Sequence, residues 1–200
     1  MTDMRSSRWF GLFLAGGLLT AALPADALLL TPDLATVSHY QNPPGNCEPA
    51  CVNSYFGTSF TSANLLYKSE DGKLGELAKE EGSFLSFYTT RFSPQSDAED
   101  ALISWDGGSS MSCSVCILAV KDGKQDPNYY FFDLSALLWN GTDSLELRNF
   151  WLGRGAISHV SIWGKASVSV PEPATLILFG GGLVAVAGFG RRRHLWQKAE

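Results

Sequence analysis

Short apolar runs separated by turn-forming residues fill the middle of the chain, and this pattern predicts β-strands. The runs are rich in β-branched and aromatic residues, and Asp-Gly or Asn-Gly pairs stand between several of them. No amphipathic helix of ordinary length lies between the runs, which disfavours a parallel α/β sheet. We therefore expect an all-β, antiparallel β-sandwich, with strands at residues 82–92, 101–105, 115–120, 129–134, 145–151 and 156–163.

The last of these runs raises a question of register, because side chains alternate between the two faces of a strand. Ile157 and Trp163 have odd numbers, whereas Val160 and Ile162 have even numbers. Either a bulge shifts the register after Ile157, or the strand lies centrally and both of its faces are covered. In a regular edge strand, Trp163 would instead be exposed.

Two other stretches lack a clear strand pattern. Residues 28–50 contain several prolines, and we interpret them as an irregular lead-in to the domain. Residues 68–81 are charged and contain scattered glycines, so we expect a mainly solvated loop there with one or two helical turns. The third and fourth apolar runs are expected to pair as a hairpin across residues 121–128.

Residues 1–27 have the three parts of a secretory signal peptide. Arg5 and Arg8 precede an uncharged apolar run at residues 9–23, and a small-x-small site ends at Ala27. At about 15 residues, this run is shorter than the roughly 20 that a membrane-spanning helix needs. We expect cleavage after Ala27, or alternatively at Ala25, and export of the remaining chain.

A second apolar run, residues 174–190, is uncharged and directly followed by Arg191, Arg192 and Arg193. Its length of about 17 residues is at the lower limit for a transmembrane helix, and it lacks the polar face of a soluble helix. The arginines place the end of the chain in the cytoplasm. We therefore expect a C-terminal transmembrane helix and, before it, one extracytoplasmic domain at residues 28–170.

The tripeptide Pro171-Glu172-Pro173 immediately precedes this apolar run. This order of segments resembles the PEP-CTERM sorting signal, which consists of the tripeptide, a Gly-rich apolar helix and a terminal arginine cluster. The signal would occupy residues 171–200. The resemblance implies that an exosortase recognises Pro171, Glu172 and Pro173 and removes the tail, which leaves the protein at the cell surface or outside the cell. Such proteins are typical of Gram-negative bacteria that make exopolysaccharide and biofilm matrix. Residues 149–164 also resemble the terminal strands of this group, which implies a jelly-roll-like sandwich.

The predicted domain is acidic and holds all four cysteines of the chain. Residues 28–170 contain 16 acidic and 9 basic side chains, a formal net charge near −7. This balance argues against nucleic acid and anionic lipid as partners. An even number of cysteines in an oxidising compartment predicts two disulfides among Cys47, Cys51, Cys113 and Cys116, and the sequence leaves their pairing open.

Metal and redox sites are the competing explanations for these cysteines. A four-cysteine zinc site is disfavoured by the long separation between the two halves, and a thioredoxin-like centre by the strand-like run after Cys116. We expect no metal and no cofactor. For the carboxylates around the turns we favour turn formation over a calcium site; they are Asp97, Glu99, Asp100, Asp122 and Asp126.

Catalytic residues are not expected. The chain has no Gly-x-Ser-x-Gly motif to expose a serine nucleophile, and His159 lies within a predicted strand. His39 falls in the irregular lead-in, and His194 lies beyond the predicted transmembrane helix.

Aromatic side chains are the most suggestive candidates for ligand binding, because sugar rings stack on flat aromatic faces. The competing interpretation is that these residues fill the core of a small sandwich. We expect a non-enzymatic surface or matrix protein that associates with exopolysaccharide, and the alternative is an exported enzyme that acts on polysaccharide. The possible carbohydrate-stacking residues are Trp105, Trp139, Trp151 and Trp163.

Overall fold

A computed structural model of the protein describes residues 27–41, 45–72 and 75–169, and the predicted helix at 174–190 lies outside them. The described residues form ten strands and one α-helix, which is α1 (Ala50–Phe56). In chain order the strands are β1 (Ala27–Leu30), β2 (Val37–His39), β3 (Leu65–Glu70), β4 (Lys79–Glu81), β5 (Tyr88–Ser93), β6 (Asp100–Trp105), β7 (Ser110–Lys121), β8 (Tyr129–Asp133), β9 (Ser144–Leu147) and β10 (His159–Ser169).

These strands form two sheets, so the expectation of an all-β fold is confirmed. The smaller sheet has the order β1-β9-β6-β5, and the larger has the order β2-β8-β7-β10-β3-β4. Every described pair of strands is antiparallel except β1 with β9, which is parallel. The predicted hairpin between the third and fourth runs is confirmed as β7 with β8. The jelly-roll-like connectivity stays a prediction.

The two sheets share one hydrophobic core. Ile103 and Leu145 of the smaller sheet belong to the same buried cluster as Leu118 and Val160 of the larger sheet. Because side chains alternate along a strand, the neighbours of Leu118 point to the opposite face of the larger sheet. There a second core forms beneath α1, with the buried residues Cys51, Val52, Phe60, Ile117, Ala119, Tyr129, Phe131 and Trp163.

The strand β10 occupies the middle of the larger sheet, between β7 and β3, and this position explains its apolar pattern. Val160 and Ile162 face the core between the sheets, whereas Trp163 faces the second core. The strand is therefore central with both faces covered, but Ile157 lies in the same core as Val160 and Ile162, so the alternation does not extend back to Ile157. Ile157 precedes the strand and is also buried, with its N–H donating to the carbonyl of Ala98 (2.7 Å).

Several segments differ from the sequence-based expectations. Residues 28–50, interpreted as irregular, contain most of β1, all of β2 and the first residue of α1. Residues 68–81, interpreted as a solvated loop, contain the end of β3 and all of β4. The predicted strand at 82–92 begins only at Tyr88, and the one at 145–151 ends at Leu147. Within the described residues, no helix has the length and apolar character needed to cross a membrane.

Candidate functional site

The loop that joins β9 to β10, residues 148–158, is fixed in place by carboxylates. Three acidic side chains accept hydrogen bonds from its backbone N–H groups, and charge-assisted bonds of this kind are stronger than neutral ones. The pairs are Asp100 with Asn149 (2.9 Å), Glu99 with Gly153 (2.6 Å) and Asp122 with Ala156 (2.7 Å). Asp122 also accepts hydrogen bonds from the N–H groups of Lys124 and Gln125 and so forms a turn, whereas Asp100 and Glu99 hold a loop 49 and 54 residues away along the chain. For Asp97 and Asp126, turn formation stays a prediction.

Two residues of this β9–β10 loop have backbone conformations that L-residues rarely adopt. Asn149 has φ 64° and Trp151 has φ 51°. Asparagine tolerates this left-handed region, but for a bulky residue such as tryptophan it is an outlier. Such residues cost on the order of 1–3 kcal/mol each and persist where the surroundings hold them, often at binding sites. The strained loop therefore directs attention to the surface that it forms.

That surface is one wall of an open cleft of about 550 Å³. The turn at residues 31–33, which follows β1, forms another wall, and Tyr130 of β8 lies between them. The volume falls within the range of roughly 300–1,000 Å³ that is usual for ligand pockets. The lining residues of this "Tyr130 cleft" are Thr31, Pro32, Asp33, Tyr130, Asn149, Trp151, Leu152 and Arg154.

The hydroxyl of Tyr130 is the most informative group in the cleft. Tyr130 is only 9 % exposed, and its ring packs against Phe150 and Trp151 at centroid distances of 5.5 and 5.1 Å. Its hydroxyl has no hydrogen-bond partner among the described residues and is not one of the buried polar atoms, so it is open to the cleft. Burial raises the pKa of Tyr130. The positive charge of Arg154 lowers this pKa and the negative charge of Asp33 raises it, but burial has the largest effect, so the phenol is neutral at neutral pH. It can therefore both donate and accept a hydrogen bond.

Other polar side chains of the cleft are also without partners in the part of the chain that the structure describes. Asp33, Asn149 and Arg154 make no side-chain hydrogen bond or ion pair there, whereas Arg148, just outside the cleft, bonds to Asp100 and Glu146. The cleft thus offers an acceptor, a strong donor and two groups that do both. Such a set suits a ligand that carries many hydroxyl groups.

Sequence reasoning named Trp151, which lines the cleft, but it did not identify the polar residues of the cleft. Asp33 lay in a segment interpreted as irregular, and Arg154 follows a strand that was predicted to end only at residue 151. Tyr130 stood in a predicted strand, but its apolar neighbours gave no sign that its hydroxyl would lack a partner. The asparagine at position 149 is the one local signal, since asparagine is enriched at positive φ.

The four candidate tryptophans do not form an exposed platform. Trp151 (2 % exposed) and Trp163 (6 %) are buried, which favours the competing core interpretation for both, and a stacking role stays a prediction. Trp105 and Trp139 are half-buried and pack against the core between the sheets. The indole N–H groups of Trp105, Trp139 and Trp151 donate to the backbone carbonyls of Ser109, Asp143 and Pro127, respectively.

A second polar cluster surrounds Glu48 on the outer face of the larger sheet. Its Oε1 accepts hydrogen bonds from Nε2 of His159 (2.9 Å) and Oγ of Ser161 (3.2 Å), and its Oε2 accepts one from Tyr129 (2.9 Å). Burial raises the pKa of Glu48, but the bonds from His159 and Tyr129 and the charge of His159 outweigh it and hold the pKa below its usual value.

This cluster resembles a catalytic triad in composition but not in geometry. Ser161 donates to Glu48, and no hydrogen bond joins it to His159; its Oγ also accepts the indole N–H of Trp163 (2.9 Å). A serine nucleophile needs a base within hydrogen-bond reach, and a general acid needs a raised pKa. The cluster therefore has the arrangement of a satisfied structural network, and His159 is a buried residue with a partner.

The cysteines form two local disulfides, Cys47–Cys51 and Cys113–Cys116. The first closes the loop that carries Glu48. The second spans residues of one strand, with Cα atoms 5.6 Å apart, whereas residues three apart in a regular strand are separated by about 10 Å. β7 therefore bulges at this point, and its register with β10 shifts between Gly164 and Ala166. Within the described ranges no group of three or more metal-ligating side chains is placed to hold an ion.

Comparison with known proteins identifies the C-terminal segment. The family model described as the PEP-CTERM protein-sorting motif matches residues 169–193, which contain the Pro-Glu-Pro tripeptide, the apolar run and the arginines. No curated protein and no solved structure matches the chain. The match implies export and sorting by an exosortase. The chain therefore carries a PEP-CTERM protein-sorting motif at residues 169–193.

Proposed function

We propose that this protein is exported by the predicted signal peptide, sorted by an exosortase and displayed at the cell surface or in the matrix, where it associates with exopolysaccharide without catalysing a reaction. The predicted helix at 174–190 holds it in the membrane until the tail is removed. The two local disulfides support an oxidising compartment as the place where the domain works.

The unpartnered hydroxyl of Tyr130 carries the binding part of this proposal. The ring of Tyr130 is buried, whereas its hydroxyl is not among the buried atoms, opens into the cleft and has no partner among the described residues, so water or a ligand can bond to it. Its neighbours Asp33, Asn149 and Arg154 hold further polar groups around the same space, whose side chains have no partner among the described residues. Polysaccharides present many hydroxyls at short intervals, and the free groups match them as donors and acceptors.

Binding in this cleft relies on hydrogen bonds and on contacts with aliphatic side chains. The ring of Trp151 lies beneath the surface, so it supports Tyr130 and does not offer a face to the ligand. Leu152, which is 57 % exposed, and Pro32 supply apolar contact surface at the walls.

The environments of the carboxylates support a role without catalysis. Glycoside hydrolysis uses two carboxyl groups that face each other across the scissile bond, one of them with a raised pKa. Asp100, Glu99 and Asp122 are occupied by backbone N–H groups, and Glu48 is engaged by three side chains. In the Tyr130 cleft, Asp33 is the one carboxylate among the described lining residues.

A polysaccharide-binding assay tests the proposal. Processed protein, purified from the producing cells, is titrated with the exopolysaccharide of the same cells. We expect the native protein to bind, and Tyr130→Phe to weaken binding by about 3- to 10-fold, since one net hydrogen bond contributes about 1 kcal/mol. Phenylalanine keeps the ring contacts with Phe150 and Trp151, so the thermal stability should stay close to that of the native protein.

Tyr40→Phe is the matched control, because Tyr40 is exposed and does not line the cleft. It should bind like the native protein. The proposal is overturned if the native protein does not bind, or if the two variants bind equally well. Release of new reducing ends from the polysaccharide would instead show that the protein is an enzyme.

A further inference from the structure

Two opposite charges flank the hydroxyl of Tyr130. Asp33 reaches the cleft from the turn after β1, and Arg154 reaches it from the β9–β10 loop. Both are close enough to act on the hydroxyl electrostatically. Neither forms an ion pair with any of the residues described, so both charges remain available to a ligand. Because there is one of each sign, the lining of the cleft has no net charge.

The remaining lining groups are neutral. Thr31 and Tyr130 present hydroxyls, Asn149 presents an amide, and Pro32 and Leu152 present apolar surface. A sugar hydroxyl both donates and accepts, so it can bond to Asp33 as a donor and to Arg154 as an acceptor. The chemistry of the cleft therefore matches uncharged hydroxyl groups better than it matches a series of like charges.

The rest of the domain adds an unfavourable field for anionic chains. Residues 28–170 have a formal net charge near −7, so the domain as a whole repels a polyanion that approaches it. Inside the cleft, a carboxylate on the sugar would also lie near Asp33, and like charges in contact are strongly unfavourable.

We infer that the Tyr130 cleft binds a segment of uncharged polysaccharide and discriminates against chains rich in uronic acid, with Asp33 as the residue that sets this preference. The inference rests on the proposed function, because it names the ligand class of the same cleft. Asp33 accepts hydrogen bonds from sugar hydroxyls and repels sugar carboxylates, whereas Arg154 and Asn149 donate to hydroxyl and ring oxygens.

The test separates the exopolysaccharide of the producing cells into neutral and acidic fractions by anion exchange, and titrates the processed protein with each. We expect the neutral fraction to bind at least about tenfold more tightly per sugar unit. Asp33→Asn should reduce this ratio by about threefold or more, because it removes the repulsive charge from the cleft. Asp97→Asn changes the net charge by the same unit at an exposed position outside the cleft, and it should leave the ratio unchanged.

Each contrary result has a distinct meaning. If the acidic fraction binds as tightly as the neutral one, and Tyr130→Phe weakens that binding, the ligand class is wrong while the proposed function stands. If Asp33→Asn and Asp97→Asn change the ratio equally, the preference comes from the net charge of the domain and the role of Asp33 is wrong. If neither fraction binds, the proposed function itself is wrong.

Discussion

The four tryptophans of the domain differ in burial, and they should therefore differ in their contribution to stability. We expect Trp151→Ala and Trp163→Ala each to lower the free energy of unfolding by about 3–5 kcal/mol, as is usual for a large aromatic residue removed from a core. Trp105→Ala and Trp139→Ala should cost less, since these side chains are half-buried. Urea denaturation measures the four values, and equal losses at all four positions would contradict this assignment.

The carboxylate of Glu48 should make stability depend on pH. Its pKa in the folded protein lies below the usual value near 4.5, so the ionised form stabilises the fold at neutral pH. This contribution is lost as the pH falls below 4.5 through the lower pKa of the folded state. We expect Glu48→Gln to cost about 1.5–3 kcal/mol at neutral pH, since bonds to a charged group are removed. The difference in free energy of unfolding between Glu48→Gln and the native protein should shrink as the pH falls.

Glu76→Gln serves as the control for this measurement, because Glu76 is exposed. Denaturant titrations of both variants at neutral and acid pH give the comparison. A Glu48→Gln deficit that stays constant with pH would mean that the ionised carboxylate is not what stabilises the cluster.

Among the elements, the bulge of β7 depends on a glycine in the neighbouring strand. A Cβ added at Gly164 would lie 2.8 Å from the carbonyl oxygen of Val115 and 3.1 Å from Sγ of Cys113. Backbone and disulfide atoms give way poorly, so Gly164→Ala should destabilise the protein by about 1–3 kcal/mol. Gly123→Ala is the matched control, because a Cβ there meets no atom within 4 Å. Equal thermal stability of the two variants would contradict this explanation of the bulge.

The strands that the sequence predicted well are those with long apolar runs. β6, β7 and β8 carry residues such as Ile103, Leu118 and Phe132, whose burial in the shared core explains the pattern. β2 and β4 have three residues each and lie at the edges of the larger sheet, where backbone pairing defines the strand. β4 is Lys79–Glu81, wholly charged, and no propensity scale favours a strand there. Pairing with β3 overrides the local preference.

For the whole molecule, the candidate site could not be read from the sequence because its parts are distant along the chain. The cleft combines the turn at 31–33, Tyr130 and the β9–β10 loop, which meet only when both sheets have formed. The sequence motivated a search for aromatic binding residues, but aromatic type alone does not distinguish a buried ring from an exposed one. The sorting motif, in contrast, is contiguous, and its order of segments was recognisable without the fold.

Sorting governs where the whole molecule works, and it is tested most directly by the fate of the tail in cells that express Glu172→Ala. Immunoblots of inner-membrane and extracellular fractions measure chain length and location. We expect the native protein to lose its tail, and the Glu172→Ala protein to stay in the inner membrane at precursor length less the signal peptide, because the Pro-Glu-Pro tripeptide lies within the matched motif. Glu200→Ala, outside the matched residues, should be processed normally. Processing and release of the Glu172→Ala protein like the native one would contradict sorting by an exosortase.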